Sequence, residues 1–76
     1  MKDEHPDLSA LREVLPPFVP RTFPRLRELT GFCGRTWANM DSEKKTVGIK
    51  RITFGRTIAY ERESLIAWLE QRSWVL

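Results

Sequence analysis

The sequence has little of what most enzymes and metal proteins depend on, with one cysteine and one histidine among 76 residues. Cys33 cannot form an intramolecular disulfide, and no second cysteine or nearby histidine gives it metal-site spacing. We therefore predict that Cys33 is a small buried or capping residue in a reducing compartment. His5 lies in a polar segment without a nucleophile or carboxylate pair in a motif that would use it. The chain is accordingly expected to be a non-enzyme without a cofactor or metal.

Long hydrophobic runs are also lacking. No apolar segment approaches the length of a signal peptide or a membrane span, and the first residues are polar. We therefore expect a cytoplasmic protein with no membrane partner. A length of 76 residues allows one domain, and 41% hydrophobic residues, including aromatic ones, can supply its small core.

The net charge of +3 is unevenly distributed along the chain. Residues 1–20 carry two basic and four acidic side chains, and residues 63–76 carry one basic and two acidic ones. Residues 21–62 carry ten basic and four acidic side chains. This concentration fits a surface that faces nucleic-acid phosphates. A solvated charged face would give the same pattern, so charge alone leaves both interpretations open.

The two ends of the chain differ in composition from its middle. Residues 1–20 form an acidic, proline-rich leader in which residues 7–15 can make two turns of amphipathic helix before the prolines end it. Its leucines fall at helical spacing, and we favour their packing on the protein's own core over binding of a partner. Residues 73–76 form an apolar tail, for which packing on the core and a dimer contact both stay open.

Residues 22–40 have the pattern of two short helices. Thr22 suits an N-cap, proline is tolerated in the first turn, and Gly31 suits the C′ position of the first helix. Apolar residues at helical spacing indicate one shared buried face. The residues expected on it are Phe23, Leu26, Leu29, Trp37 and Met40. Two short helices joined by a three-residue turn with a glycine are typical of a helix-turn-helix.

Residues 52–60 alternate apolar and polar residues around a glycine, which predicts a half-buried β-hairpin. A two-residue turn, Gly55-Arg56, would place the apolar residues of the two strands on opposite faces, whereas the three-residue loop Gly55-Arg56-Thr57 would place them together. Because burial normally fixes register, we predict the longer loop, with Arg56 at its tip. A closing helix over residues 64–69 is then expected to bury Leu65, Trp68 and Leu69.

Four features follow one another in a fixed order. They are Leu29-Thr30-Gly31-Phe32, Arg35-Thr36-Trp37, the segment from Ile52 to Thr57, and the pair Tyr60 and Trp68, which lie eight residues apart. In these features residues 21–72 resemble the AlpA-like phage regulators and excisionases, which have a MerR-like winged helix-turn-helix. The first motif is similar to the family's helix-ending turn, the second to the start of its recognition helix and the third to its wing.

The resemblance implies a mainly α-helical fold with a small β-hairpin. The expected order is helix-turn-helix, hairpin wing and closing helix, placed between the leader and the tail. It implies sequence-specific binding of double-stranded DNA by a transcriptional regulator or an excisionase-like architectural factor in DNA recombination. Self-association along DNA and a recombinase or other phage protein are further partners left open. The alternative is a protein-interaction module on the same scaffold that binds a recombinase, polymerase or packaging protein.

The chemistry of DNA recognition falls on two sets of residues. Arginine can donate two hydrogen bonds to guanine and asparagine can pair with adenine, while small residues allow close approach to the groove. The residues predicted to contact DNA from the recognition helix are Gly34, Arg35, Thr36, Ala38 and Asn39. Those predicted to contact it from the wing and connection are Arg51, Thr53, Arg56, Thr57, Lys44, Lys45 and Lys50. The alternative for Arg35 and Asn39 is that they contact only phosphates or solvent, and the alternative for Arg56 is a solvated turn residue.

Overall fold

The computed structural model describes residues 6–73, so that the predictions on His5 and on Trp74-Val75-Leu76 lie outside the described residues. A short 3₁₀ helix, Ser9–Glu13, is followed by strand β1, Phe18–Pro20, and by helices α1, Pro24–Thr30, and α2, Gly34–Ser42. Strands β2, Arg51–Phe54, and β3, Thr57–Glu61, come next, and helix α3, Arg62–Arg72, ends the described chain. No helix within this range is long and apolar enough to cross a membrane.

The three strands form one antiparallel sheet in the order β1-β3-β2. The expectation of a mainly α-helical fold with only a hairpin is therefore wrong, because residues 6–73 combine helices with a three-stranded sheet. The order of elements also differs from the predicted one, since strand β1, which was not predicted, precedes α1. Val19 of β1 lies opposite Tyr60 of β3. Pro20, which has no amide to donate, is accommodated because β1 lies at the edge of the sheet.

The β2–β3 hairpin has the two-residue turn Gly55-Arg56, and the predicted three-residue loop is wrong. Ile52 pairs with Ala59 and Arg51 pairs with Tyr60, so Ile52 and Tyr60 lie on opposite faces. Gly55 has a φ of +59°, and glycine at the first position of a two-residue loop is the pattern of a type II′ turn. The type II′ turn matches the twist of the two strands. This preference therefore outweighed the register that would have placed all the apolar residues on one face.

That outcome was possible because both faces of the sheet carry apolar residues. Tyr60 is fully buried on the face that α2 and α3 cover. Ala59 is fully buried on the other face, where its strand neighbours are Pro20 and Ile52. The longer loop was predicted on the assumption that one face of the sheet is buried and the other is exposed to solvent. That assumption does not hold for this sheet.

The core forms around Trp37 of α2, which is fully buried. Its ring lies 5.2 Å from that of Tyr60, 5.6 Å from Trp68 and 5.5 Å from Phe32, measured between centroids. The predicted burial of Leu65, Trp68 and Leu69 in the closing helix is confirmed, as is that of Leu26 in α1. Leu29 is 42% exposed, so its predicted place in the core is wrong.

The helix ends agree with the sequence only in part. Gly31 ends α1 with a φ of +78°, the left-handed conformation for which a glycine was expected. Phe23, and not Thr22, holds the N-cap position of α1, with no side-chain hydrogen bond to the helix. Cys33 holds the N-cap position of α2, as the sequence allowed, but its side chain makes no capping hydrogen bond to the helix.

The leader packs on its own domain, which confirms the interpretation favoured for its leucines. Leu15 is buried, and Leu8 and Leu11 pack against the core cluster. The segment forms a five-residue 3₁₀ helix and not two turns of α-helix. Three hydrogen bonds hold it on α3. The Leu8 amide donates to Glu70 at 2.6 Å, and the Arg12 guanidinium donates twice to Glu63, at 3.0 and 2.5 Å.

Candidate nucleic-acid interface

Helix α2 presents Arg35 and Asn39 to solvent, four positions apart and so on one face of the helix. Neither side chain bonds to another of the residues that the structure describes. Both therefore keep their full hydrogen-bonding capacity, which for arginine and asparagine matches guanine and adenine edges.

The other predicted residues of α2 are half-buried. Gly34 lies against the β1–α1 turn, where a Cβ atom would come within 3.6 Å of the Arg21 carbonyl oxygen. Thr36 and Ala38 also keep only part of their surface exposed. The Thr36 hydroxyl lies 3.4 Å from the Cys33 Sγ, so it is already engaged within the protein.

The hairpin turn carries Arg56 at its tip. Arg56 and Thr53 are exposed, and Thr57 is half-buried. Arg56 has no carboxylate partner in residues 6–73. Arg51, at the start of β2, is half-exposed, and its Nη1 lies 3.6 Å from Oδ1 of Asp41. The structure thus separates a free arginine at the tip of the hairpin from a paired one at its base.

The connection between α2 and β2 holds the three lysines predicted to contact phosphates. Lys44 is exposed and has a φ of +60°, and Lys45 pairs with Glu43 at 3.3 Å. The Lys45 carbonyl accepts a hydrogen bond from the Trp68 indole, which ties the connection to α3. Lys50 is exposed, and its amide donates to Ser64 in the first turn of α3.

The exposed cations divide into paired and unpaired ones. In the leader and at the start of α3, the exposed Arg12 and the half-buried Arg62 both pair with Glu63. At the end of α3 the exposed Arg72 has no carboxylate partner among the described residues and instead donates to the Lys45 carbonyl and lies over the Trp68 ring. In α1, α2, the connection and the hairpin, several exposed cations form no salt bridge with a carboxylate among the described residues. These are Arg27, Arg35, Lys44, Lys50 and Arg56. Arg27 did not stand out in the sequence, because within a basic segment nothing local distinguishes a paired arginine from an unpaired one.

A buried carboxylate, Asp41, lies near the end of α2 and was not predicted as a site residue. Its side chain is only 4% exposed. It accepts hydrogen bonds from the Thr46 hydroxyl, the Arg21 guanidinium and, at 2.7 Å, the Tyr60 hydroxyl. We call Arg21, Asp41, Thr46, Arg51 and Tyr60 the Asp41 cluster. Its members come from five parts of the chain, namely the β1–α1 turn, α2, the α2–β2 connection, β2 and β3, so no local sequence pattern indicates it.

Burial and hydrogen bonding shift the acidities within the Asp41 cluster. Burial alone would raise the pKa of Asp41, but the hydrogen bonds from Thr46, Arg21 and Tyr60 outweigh it and hold that pKa below its ordinary value of 3.8. Burial raises the pKa of Tyr60 to about 12, and the adjacent Asp41 carboxylate adds to this rise. The carboxylate is therefore ionised and the phenol neutral at physiological pH.

The thiol of Cys33 is the remaining titratable group with a marked shift. Its hydrogen bond with the Thr36 side chain lowers its pKa from 9.0 to about 7, and the Thr36 and Arg35 amides act in the same direction. Within residues 6–73 no group of three or more His, Cys, Asp or Glu side chains is placed to hold a metal ion.

An apolar groove of about 470 Å³ lies where the leader, the end of α1 and α3 meet. Leu8, Leu11, Leu29, Phe32, Trp68 and Leu69 line it. The exposure of Leu29 arises here, because this leucine forms a wall of the groove and is not covered by another element.

Comparison of the chain with protein-family models, with curated proteins and with solved structures gave no match in any of the three.

Proposed function

We propose that the protein is a cytoplasmic, sequence-specific DNA-binding protein of winged helix-turn-helix type. In this proposal α2 enters the major groove and the β2–β3 hairpin contacts the neighbouring backbone. The observation that carries it is the distribution of charge. The exposed Arg12 and the half-buried Arg62, in the leader and at the start of α3, both form salt bridges, whereas five exposed cations of α1, α2, the connection and the hairpin form none. Unpaired cations are the ones that can replace the counterions of DNA phosphates.

Base recognition falls to Arg35 and Asn39. They lie one helical turn apart, and each can contribute about 1 to 3 kcal/mol of discrimination against a wrong base. Arg56 at the hairpin tip is placed for a phosphate or minor-groove contact. A domain this small reads few base pairs, so specificity requires repeated sites, self-association along DNA or a partner. The resemblance to AlpA-like proteins supports a role as a regulator or excisionase-like factor.

Selection from a random double-stranded DNA pool across a salt series tests the proposal. With about four to six phosphate contacts, the logarithm of affinity is expected to fall against the logarithm of salt with a slope near −4 to −5, and sequencing should return an enriched motif. Arg35→Ala and Asn39→Ala should relax that motif, and Arg56→Gln should reduce the slope by about one. Arg12→Gln is the matched control, because Arg12 is exposed but already paired. Absence of binding at low salt by the folded protein would refute the proposal.

The apolar groove favours a second candidate function, a module that binds a recombinase, polymerase or packaging protein. Leu29 is the residue to change, because it is exposed and lines the groove. Leu29→Ser should abolish partner binding if the module interpretation is correct, and leave DNA selection unchanged if the DNA-binding interpretation is correct. The double variant of Arg35 and Arg56 should give the reverse result.

A further inference from the structure

Two guanidinium groups converge on one buried carboxylate in the Asp41 cluster. Arg21 is 22% exposed and Arg51 is 48% exposed, whereas Asp41 is 4% exposed. Two positive charges and one negative charge leave a net positive charge, and the most exposed of the three groups, Arg51, presents it to solvent. The negative charge of Asp41 is withdrawn from the surface and neutralised by Arg21, so it offers little repulsion to an approaching anion.

The carboxylate is itself held in place from several sides. Tyr60 donates to its Oδ2 at 2.7 Å, and Thr46 donates to its Oδ1. The Tyr60 hydroxyl in turn accepts from Arg21 Nε at 3.2 Å. Tyr60 also lies directly opposite Arg51 in the hairpin register. The orientation of Asp41, and through it that of Arg51, therefore follows from the packing of α2 on the sheet.

Arg51 makes no other side-chain bond among the described residues, so most of its guanidinium donors stay free. A planar guanidinium with free donors matches the geometry of a phosphate. A long side chain normally loses rotamer freedom when it binds, and a partner that already restrains it reduces that loss.

We propose that Arg51 is the binding site for one DNA backbone phosphate and that Asp41 is the residue that positions its guanidinium for this contact. The inference rests on the proposed DNA-binding function for its ligand, but the positioning by Asp41 is a property of the free protein. Since Asp41 belongs to α2 and Arg51 to β2, the pair places this phosphate beside the groove that α2 enters.

A double-mutant cycle on DNA affinity tests the coupling. In the wild-type background Arg51→Gln is expected to lower affinity about tenfold at moderate salt and to reduce the salt slope by about one. In an Asp41→Asn background the same change should lower affinity only about twofold. Lys50→Gln is the matched control, because Lys50 is exposed, adjacent and forms no salt bridge among the described residues, and its effect should be equal in both backgrounds. If Arg51→Gln has equal effects in the two backgrounds, Asp41 has only a structural role and the proposal is overturned.

Arg51→Lys keeps the test decisive even if Asp41→Asn does not fold. The lysine retains the charge but lacks the planar fork, so the salt slope should stay unchanged while affinity falls at least threefold. Lys50→Arg, the reverse change at the neighbouring position, should leave affinity within a factor of two. An Arg51→Lys variant with wild-type affinity would contradict a positioned guanidinium.

A measurement without DNA separates this inference from the proposed function. The ¹⁵N heteronuclear NOE of the Arg51 Nε–H is expected to be clearly higher than that of the unpaired Arg56, and to fall to the Arg56 value in Asp41→Asn. If Arg51 is as mobile as Arg56 in the wild type, positioning is refuted whatever the DNA result. If Arg51 is ordered but the protein does not bind DNA at low salt, the proposed function and the phosphate site fail, while the positioning by Asp41 stands.

Discussion

Replacement of Asp41 by alanine is expected to be among the most destabilising single changes in this domain. The substitution leaves the Thr46 and Tyr60 hydroxyls without their acceptor in a buried site, and it leaves the Arg21 guanidinium without its counter-charge. Removing one partner of a buried ion pair costs about 3 to 5 kcal/mol. A domain of 76 residues has a total stability of roughly 4 to 11 kcal/mol, so the loss is a large fraction of it.

Urea unfolding followed by tryptophan fluorescence measures this loss. With a slope of about 1 kcal/mol per molar urea for so small a domain, a loss of about 3 to 5 kcal/mol in Asp41→Ala should lower the midpoint by roughly 3 to 5 M. Asp41→Asn keeps one acceptor oxygen, so its free energy of unfolding should fall by less than that of Asp41→Ala. The matched control is Glu43→Ala, two positions further on, where a 58% exposed carboxylate pairs with Lys45 and a loss below about 1 kcal/mol is expected. If the free energies of unfolding of Asp41→Ala and Glu43→Ala differ by less than about 1 kcal/mol, the Asp41 cluster does not stabilise the fold as argued.

The pH dependence supplies an independent check on the same residue. Hydrogen bonds depress the pKa of Asp41 in the folded state below its ordinary value of 3.8. A depressed carboxyl contributes stability that is present above the unfolded pKa and is lost as the pH falls through the folded one. The difference in stability between the wild type and Asp41→Asn should therefore narrow below about pH 4. A difference that stays constant from pH 7 to pH 3 would contradict this.

Three further predictions concern backbone freedom and the two shifted neutral groups. Gly34→Ala should stabilise the domain by about 0.4 to 1 kcal/mol in thermal unfolding, because a methyl group meets ordinary contacts there, whereas Gly55→Ala should destabilise it because of the +59° φ. Alkylation of Cys33 by iodoacetamide should accelerate through pH about 7, and Thr36→Val should move that midpoint upward. Tyr60 is the only tyrosine, and its absorbance at 295 nm should show ionisation near pH 12. Because the pKa of Tyr60 is raised in the folded state, the stability that it contributes is full below pH 10 and is lost as the pH rises through 12.

The helices and most of the core could be predicted because their signals are local. Apolar residues three and four positions apart identified the buried faces of α2 and α3 around Trp37 and Trp68, and Gly31 marked the end of α1. The burial predicted for Leu29 is wrong because periodicity shows which face of a helix a residue is on, but not whether another element covers that residue.

The sheet was less predictable because its signals are weak or act at a distance. β1 has only three residues, one of them Pro20, and prolines in sequence indicate the end of a helix more readily than an edge strand. The prediction for the turn at Gly55-Arg56 is wrong because it assumed one buried face, whereas Ala59 is fully buried on the face opposite Tyr60.

The exposed residues of the candidate interface could be predicted from the sequence. The partly buried hydrogen bonds of the Asp41 cluster could not. The exposure of Arg35 and Asn39 agrees with what the spacing of their apolar neighbours indicated. Arg56 lies at the hairpin tip as predicted, although the loop length from which that place was predicted is wrong. The hydrogen bond from Arg21 to Tyr60 spans 39 positions, and no pattern in the sequence connects such residues.

The pairing of β1 with β3 has a consequence for the synthesis of the chain. The two strands are separated by about 40 positions, and at roughly 5 to 20 residues per second the first strand leaves the ribosome some 2 to 8 seconds before its partner exists. Isolated helices and hairpins form in microseconds, so α1 and α2 have time to sample structure while β1 is still unpaired. The acidic and proline-rich composition of the leader protects β1 during this interval, because charge and proline both disfavour strand pairing with other nascent chains.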